Sequence, residues 1–294
     1  MEFDEMAFED GPQKKFSFAA DTWRRLKKNK LALLGLMILI VLVFCAMFAN
    51  VLAPYSYSKQ NLKNSFKSPS LEHPFGTDEY GRDILSRCIY GARISLVVGF
   101  IAVGISIVVG VMLGSIAGYF GTLTDNLIMR AMDVLMAIPQ MLLAIAIAAA
   151  LGPGLFNLMI AVGIANTPGY ARIVRASVLS VKDQEFVEAA RAIGTNDFMI
   201  IVKHVLPNCV APIIVQATVG VALAILTAAS LSFIGLGIQP PQPEWGSMLS
   251  SGRHYIRDNW YMTLFPGLAI AMTIFSLNVL GDGLRDALDP KLRD

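Results

Sequence analysis

The chain has 294 residues, 55% of them hydrophobic and only 16% charged. Its mean hydropathy of +0.57 lies outside the range of soluble domains. A net charge of +2 is too small to suggest a nucleic-acid partner. No glycine is followed by lysine, which excludes a phosphate loop, and neither Gly-x-Ser-x-Gly nor His-Glu-x-x-His occurs, so the chain carries no recognisable catalytic constellation. The three cysteines (45, 88, 209) have no metal-ligand spacing and read as small apolar fillers, and the three histidines (73, 204, 254) are isolated. The composition predicts an all-α integral membrane protein.

In chain order, residues 1–20 are acidic, then mixed, and are expected to be poorly ordered or to lie on the membrane surface. With the basic run from Trp23 to Lys30 they form a cytoplasmic N-terminal segment, 1–30. A first span is predicted at 31–53, and no small-residue cleavage site of signal-peptide type follows it. The polar stretch 54–93 is an outer loop. Within it, Tyr80, Ile84, Leu85, Cys88 and Ile89 share a helical face opposite Arg82, Asp83 and Arg87, which predicts a helix along the outer membrane surface or against a span.

Further spans are predicted at 94–118, 131–150, 155–171, 208–235 and 263–280, six in all, with a second outer loop at 236–262. Gly110, Gly114 and Gly118, and again Gly220, Ala224 and Ala228, recur every four residues and read as close-packing ridges. Pro139 and Pro168-Gly169 are expected to kink or end their helices. Arg130 and Asp133, one turn apart, are expected to pair. Asn166, Thr167, Gln216, Thr227, Ser230 and Asn278 are polar within spans. They either line a translocation path or tie helices together, and the residue types do not choose. No Asp, Glu, Lys or Arg sits mid-span, which weighs against an ion-coupled carrier. Two-thirds of the 24 Lys and Arg fall on the side of the N-terminus, which predicts that both termini face the cytoplasm.

The loop 172–207 between the fourth and fifth spans carries Glu185, Glu188, Arg191, Asp197 and Lys203 within one short stretch. Each charge costs roughly 2.5–3.5 kcal/mol at a bilayer centre, about 15 kcal/mol together, so the stretch belongs in water. Ser180 with Asp183 predicts a helix start. Phe186, Ala189, Ala190 and Ile193 predict one apolar face. Gly194 ends that helix, Thr195 or Asn196 caps the next, and Phe198, Ile201, Val202 and Val205 form a second stripe that Pro207 stops. A short helix with small residues on one face, held out from a membrane protein, is a docking surface for a soluble partner.

Glu188-Ala189-Ala190, Gly194 and Leu206-Pro207 resemble the EAA loop of ABC-importer permease subunits. HPFGTDEYGRDILSR, YGARISL, FIGLGIQPPQPEWGSML and LFPGLAI resemble the dipeptide/oligopeptide/nickel branch of that family, its C-type subunit, with matching segments from about residue 24 onward. The resemblance implies a type I importer permease with six transmembrane helices in a bacterial or archaeal cell membrane. It assigns Glu185, Glu188, Ala189, Ala190, Arg191, Gly194, Leu206 and Pro207 to an ATPase-coupling loop. In that loop Glu188 caps or ion-pairs, Ala189 and Ala190 give close contact, and Gly194 sets the bend. Asn166, Thr167, Gln216 and Asn278 become candidates for the translocation path. The implied partners are a second homologous permease, forming a heterodimer, two ATPase subunits that bind ATP and Mg, an extracytoplasmic substrate-binding protein and membrane lipid. No cofactor in this chain is implied. The expected cargo is di- or oligopeptide, with nickel or a nickel chelate as the alternative. A stand-alone secondary carrier and a non-transporting membrane anchor are the rivals from other classes.

Overall fold

The computed structural model describes residues 18–288. The expectations for residues 1–17 and 289–294 fall outside the described residues. Among the described residues twelve α-helices follow one another: α1 (Phe18–Leu26), α2 (Lys30–Met47), α3 (Ala49–Leu52), α4 (Ile84–Phe120), α5 (Thr122–Met136), α6 (Gln140–Leu151), α7 (Leu155–Val181), α8 (Glu185–Ala192), α9 (Asp197–Ile200), α10 (Val210–Phe233), α11 (Trp245–Gly252) and α12 (Tyr261–Leu288). The described residues contain no strand, only one isolated bridge between Thr77 and Asp83.

Among the described residues, four helical stretches are long and apolar enough to cross a membrane: α2, α4, Asp197–Phe233 and α12. The α5–α6 pair makes a fifth if counted as one, although its halves meet at 88°. The stretch 131–150 is therefore not one straight span. Pro139 sits at the break, where it offers no N–H to a continuing helix. Helix α7 is 27 residues long but less apolar, with Asn157, Asn166, Thr167 and Arg172 along it. It occupies the middle of the bundle, with about half its residues buried, and its neighbours shield it from lipid. It also runs on past the expected end at 171 and accommodates Pro168 within its length.

Close backbone approach holds the bundle together. A Cβ on Gly110 would stand 2.5 Å from the Tyr170 Cβ, one on Gly114 would overlap the Ala171 carbonyl oxygen, and one on Gly118 would stand 2.9 Å from the Val178 Cβ. The glycine ridge of α4 therefore lies flat on α7, as its four-residue recurrence predicts. Ala224 and Ala228 on α10 are buried too, and Gly220 lies under the Tyr170 hydroxyl. A Cβ on Gly35 of α2 would likewise stand 2.7 Å from the Ser276 carbonyl oxygen of α12.

One end of the bundle is capped by irregular chain. Phe75 stacks on Phe265 with ring centres 3.8 Å apart, the Trp245 indole N–H donates to the Cys88 carbonyl at 3.0 Å, and Gly154 N donates to the Gly237 carbonyl. Glu244 caps α11, its two carboxylate oxygens accepting from Gly246 N and Ser247 N at 2.8 Å each, while burial pushes its carboxyl above the usual range. Because α4 and α12 both leave this cap, their far ends lie together at the opposite end, with α1 and α8.

The helix expected to include Tyr80 and Ile84 through Ile89 forms only from Ile84 onward, continuous with α4. Residues 77–83 are turn and loop instead, and Arg82, Asp83 and Arg87 are buried rather than facing water. Their partners account for this. Arg82 Nε pairs with Asp78 at 2.6 Å, and Arg87 donates to the Tyr57 carbonyl at 3.1 Å. Asp83 caps α4, one oxygen accepting from both Ser86 N and Ser86 Oγ at 2.7 Å and the other from His73 Nδ1 at 3.0 Å. Asp83→Ala leaves buried donors without acceptors and removes a helix cap. The expected loss is about 3 kcal/mol, read as a lower thermal midpoint of the detergent-solubilised protein.

Candidate coupling loop and polar cavity

Helix α8 starts at Glu185 after Gln184, not at Ser180, which belongs to the last turn of α7. The face read as a single apolar stripe divides in two. Val187 and Ala190 are buried, while Phe186 is 39% and Ile193 82% exposed, and Ala189 points outward with them. The second stripe divides likewise: Ile201 and Val205 are buried, joined by Ile200 from outside the stripe, and Phe198 and Val202 are exposed. The inner set packs with Tyr119, Val174, Val178 and Cys209 in a cluster of its own, closing the ends of α4 and α7. The spacing favoured the bulkier residues, but attachment to α7 turns Val187 inward, and Phe186, Ala189 and Ile193 are presented to the surroundings.

Gly194 has φ +79°, a conformation that favours glycine, and it turns the chain between α8 and α9. Asn196 then caps α9, accepting from Phe198 N at 2.9 Å. Leu206-Pro207 does not stop the helix. A π-helical segment (Ile201–Val205) and a 3₁₀ turn (Leu206–Cys209) carry the chain straight into α10, and Pro207 sits in the first turn of the 3₁₀ segment, where its missing N–H costs little. Glu185 and Glu188 are exposed in the first turn of α8, favourably placed for the helix dipole, and Glu188 forms no ion pair among the described residues.

Tyr119, at the end of α4, ties this loop to the bundle. Its hydroxyl donates to Asp197 Oδ1 at 2.7 Å and accepts from Arg191 Nε at 3.4 Å, and the Arg191 guanidinium lies over its ring at 5.1 Å. The bond to the Tyr119 hydroxyl raises the Arg191 pKa further, so the residue stays a cation. Tyr119 escaped the sequence reading, although a tyrosine closing an apolar run needs a partner for its hydroxyl. Tyr119→Phe is expected to weaken the loop by about 1.5 kcal/mol. Amide exchange over residues 185–205 then speeds up roughly tenfold while the α4 and α7 interiors are unchanged.

Asp133 pairs with Arg172 of α7 at 2.8 Å rather than with Arg130, and Asp125 forms a two-point pair with Arg175. A carboxylate on α5 faces α7 across the bundle, where a fork-shaped guanidinium meets it better than a neighbour on its own helix. These two bridges fasten α5 to α7.

Where α5 breaks into α6, a cavity of about 200 Å³ opens between α6, α7 and α10. Gln140, Asn166, Tyr170 and Gln216 supply its polar wall, with no charged side chain. Gln140 Nε2 donates to Asn166 Oδ1, Asn166 Nδ2 donates to the Val162 carbonyl at 2.9 Å, and Tyr170 donates to the Gln216 carbonyl at 3.2 Å. Of the four path candidates the cavity thus brings Asn166 and Gln216 together. Thr167 is buried and bonded to the Gly163 carbonyl, and Asn278 is not part of the lining. Thr227 and Ser230 likewise bond carbonyls one turn back on α10. Gln140 was missed: it opens the apolar stretch after Pro139, where one amide carries no spacing signal.

A long α4–α7 glycine seam, a broken span and an exposed helical loop at one end describe a polytopic helical membrane subunit. The chain belongs to the family of binding-protein-dependent transport system inner membrane components, whose model matches residues 110–294; residues 17–69 match the N-terminal transmembrane domain of oligopeptide transport permease C. It is a multi-pass permease subunit of an ABC transporter in the bacterial inner membrane. Among its relatives is the dipeptide transport system permease protein of Alkalihalophilus pseudofirmus, 50% identical over 93% of this chain and 90% of that one. The di/tripeptide permease protein of Pseudomonas aeruginosa is 47% identical over 92% of each chain. The glutathione permease protein of Escherichia coli is 47% identical over 92% of this chain and 90% of that one. The inward-facing MetNI methionine ABC transporter has the same fold, with TM-score 0.57, 18% identity, and coverage of 70% of this chain and 98% of that one.

Proposed function

We propose that this chain is one of two permease subunits forming the path of an ATP-driven importer for short peptides. It crosses the membrane six times, α7 completing the set, with both termini and α8 in the cytoplasm. The observation that carries the reading is the outward face of α8 (Phe186, Ala189, Ile193) on a loop braced by Tyr119. Two ATPase subunits bind ATP and Mg and dock there; this chain holds no cofactor. As the ATPases close, α8 moves, and the Tyr119 bond and its apolar cluster pass that movement to α4 and α7, switching access between the two sides. Glu185, Glu188 and Arg191 orient the docked helix, Ala190 seats it, and Gly194 and Leu206-Pro207 shape its two ends.

The cargo follows from the cavity and the relatives together. Gln140, Asn166 and Gln216 offer amide donors and acceptors without charge, which suits a peptide backbone that must bind and then leave. An extracytoplasmic binding protein delivers it to the outer loops, and a second, homologous permease supplies the facing wall. Purification of the tagged chain in detergent, followed by reconstitution with the co-purifying subunits, tests this. ATP-dependent uptake of di- and tripeptides is expected. Uptake without ATP, or uptake of nickel in place of peptide, would overturn it.

A further inference from the structure

The polar side chains of the cavity between α6, α7 and α10 are unevenly committed. Tyr170 is fixed: its hydroxyl donates to the Gln216 carbonyl at 3.2 Å and lies against Gly220, where a Cβ would overlap it. Asn166 is fixed at one end, its Nδ2 donating to the Val162 carbonyl one turn back on α7 at 2.9 Å. Its Oδ1 accepts from Gln140 Nε2, across from α6. The Gln140 Oε1 and the Gln216 side-chain amide have no hydrogen-bond partner among the described residues.

The two members of the Gln140–Asn166 pair differ in freedom. Asn166 is half-buried within α7, a short side chain held through its Nδ2. Gln140 is the exposed first residue of α6, directly after Pro139 at the 88° break. A long side chain at an exposed helix end can swing away while its partner stays in place. Their bond joins one neutral amide to another in a cavity with no charged side chain in its lining. Exchanging its donor for another amide N–H therefore leaves the energy nearly unchanged. Space for a second donor exists beside the pair, since Gly169 of α7 lines the cavity and has nothing within 4 Å of its Cβ position.

We propose that Gln140 stands in for the cargo: an incoming peptide donates a backbone N–H to Asn166 Oδ1 and displaces Gln140 Nε2, whose return releases the peptide. Asn166 is thus the residue by which the cavity selects an amide N–H, and Gln140 is its built-in competitor. The inference rests on the reading of this cavity as the path of a peptide importer, and adds which group of the peptide is read there. A terminal ammonium is a poor substitute, because no carboxylate lines the cavity to pair with it. A peptide bond whose nitrogen is methylated has no hydrogen to exchange.

Uptake of alanyl-alanine and of alanyl-N-methylalanine by the reconstituted complex, with its binding protein and ATP, tests the exchange. The readout is the ratio of the two transport rates at equal loading of the binding protein, so a change of ratio between variants belongs to this chain. Wild type is expected to favour the unmethylated peptide roughly tenfold. Asn166→Leu brings the ratio close to one. Gln140→Leu keeps the ratio and lowers the half-saturating concentration of loaded binding protein roughly threefold, because the competitor is gone. Equal thermal midpoints show that the variants are folded. The same ratio in wild type and Asn166→Leu overturns the proposal. So does a half-saturating concentration that rises in Gln140→Leu, which would make Gln140 itself the partner of the peptide. Either failure leaves peptide import standing, whereas uptake of neither peptide removes the functional reading and the exchange with it.

Discussion

Replacing Gly114 by leucine is expected to abolish accumulation of the chain in the membrane. At this position a Cβ would overlap the Ala171 carbonyl oxygen and stand 2.9 Å from the Val174 Cβ. The first of these is backbone inside a continuous helix, so no rotamer change relieves the overlap. Overpacking a tight site costs roughly 1–3 kcal/mol even where neighbours move. Here the α4–α7 seam must open, and the dispersion that holds helices together in lipid is lost along it. Immunoblots of membrane fractions, with thermal scans of whatever protein remains, measure the effect. Gly104, ten residues earlier on the same helix, has nothing within 4 Å of its Cβ position. Gly104→Leu is therefore expected to accumulate normally, and equal behaviour of the two substitutions would refute the packing argument.

The second large effect is on transport rather than folding. Phe186→Asp combined with Ile193→Asp is expected to leave membrane levels unchanged and to reduce ATP-dependent uptake at least 30-fold. Ile193 is 82% exposed and Phe186 lies outside the buried core, so their replacement costs the bundle little. At an interface, each exposed apolar anchor that becomes buried contributes on the order of 2 kcal/mol, and a buried carboxylate adds a further cost. Residual ATPase activity should no longer respond to the presence of this chain. Ala190→Leu reports something else, since Ala190 is only 4% exposed and belongs to the same buried cluster as Val174 and Val187. That substitution unseats the loop, and its defect should appear first as faster amide exchange over 185–205.

Much of the architecture was legible because lipid imposes simple rules. Long apolar runs marked α2, α4, α10 and α12, and four-residue recurrence of small residues marked the α4–α7 seam. What escaped depends on three-dimensional partners. Periodicity gave α8 an apolar stripe yet could not say that Val187 rather than Phe186 turns inward, because attachment to α7 decides it. Local spacing paired Arg130 with Asp133, while the guanidinium that reaches Asp133 comes from 39 residues later. Arg82, Asp83 and Arg87 looked like a solvated face because ion partners folded back within a loop leave no periodic trace. Gln140 and Tyr119 carried no spacing signal at all, although one lines the polar cavity and the other braces the loop.

Helix α4 runs without interruption from the Asp83 cap to Tyr119, 37 residues and about 55 Å, well beyond a hydrocarbon thickness of about 30 Å. It contains no proline, and its helical hydrogen bonding is continuous from one tip to the other. On the proposed coupling, a tilt of α4 at Tyr119 carries to its opposite tip, where the loops gathered around Asp83 and Trp245 swing sideways with it.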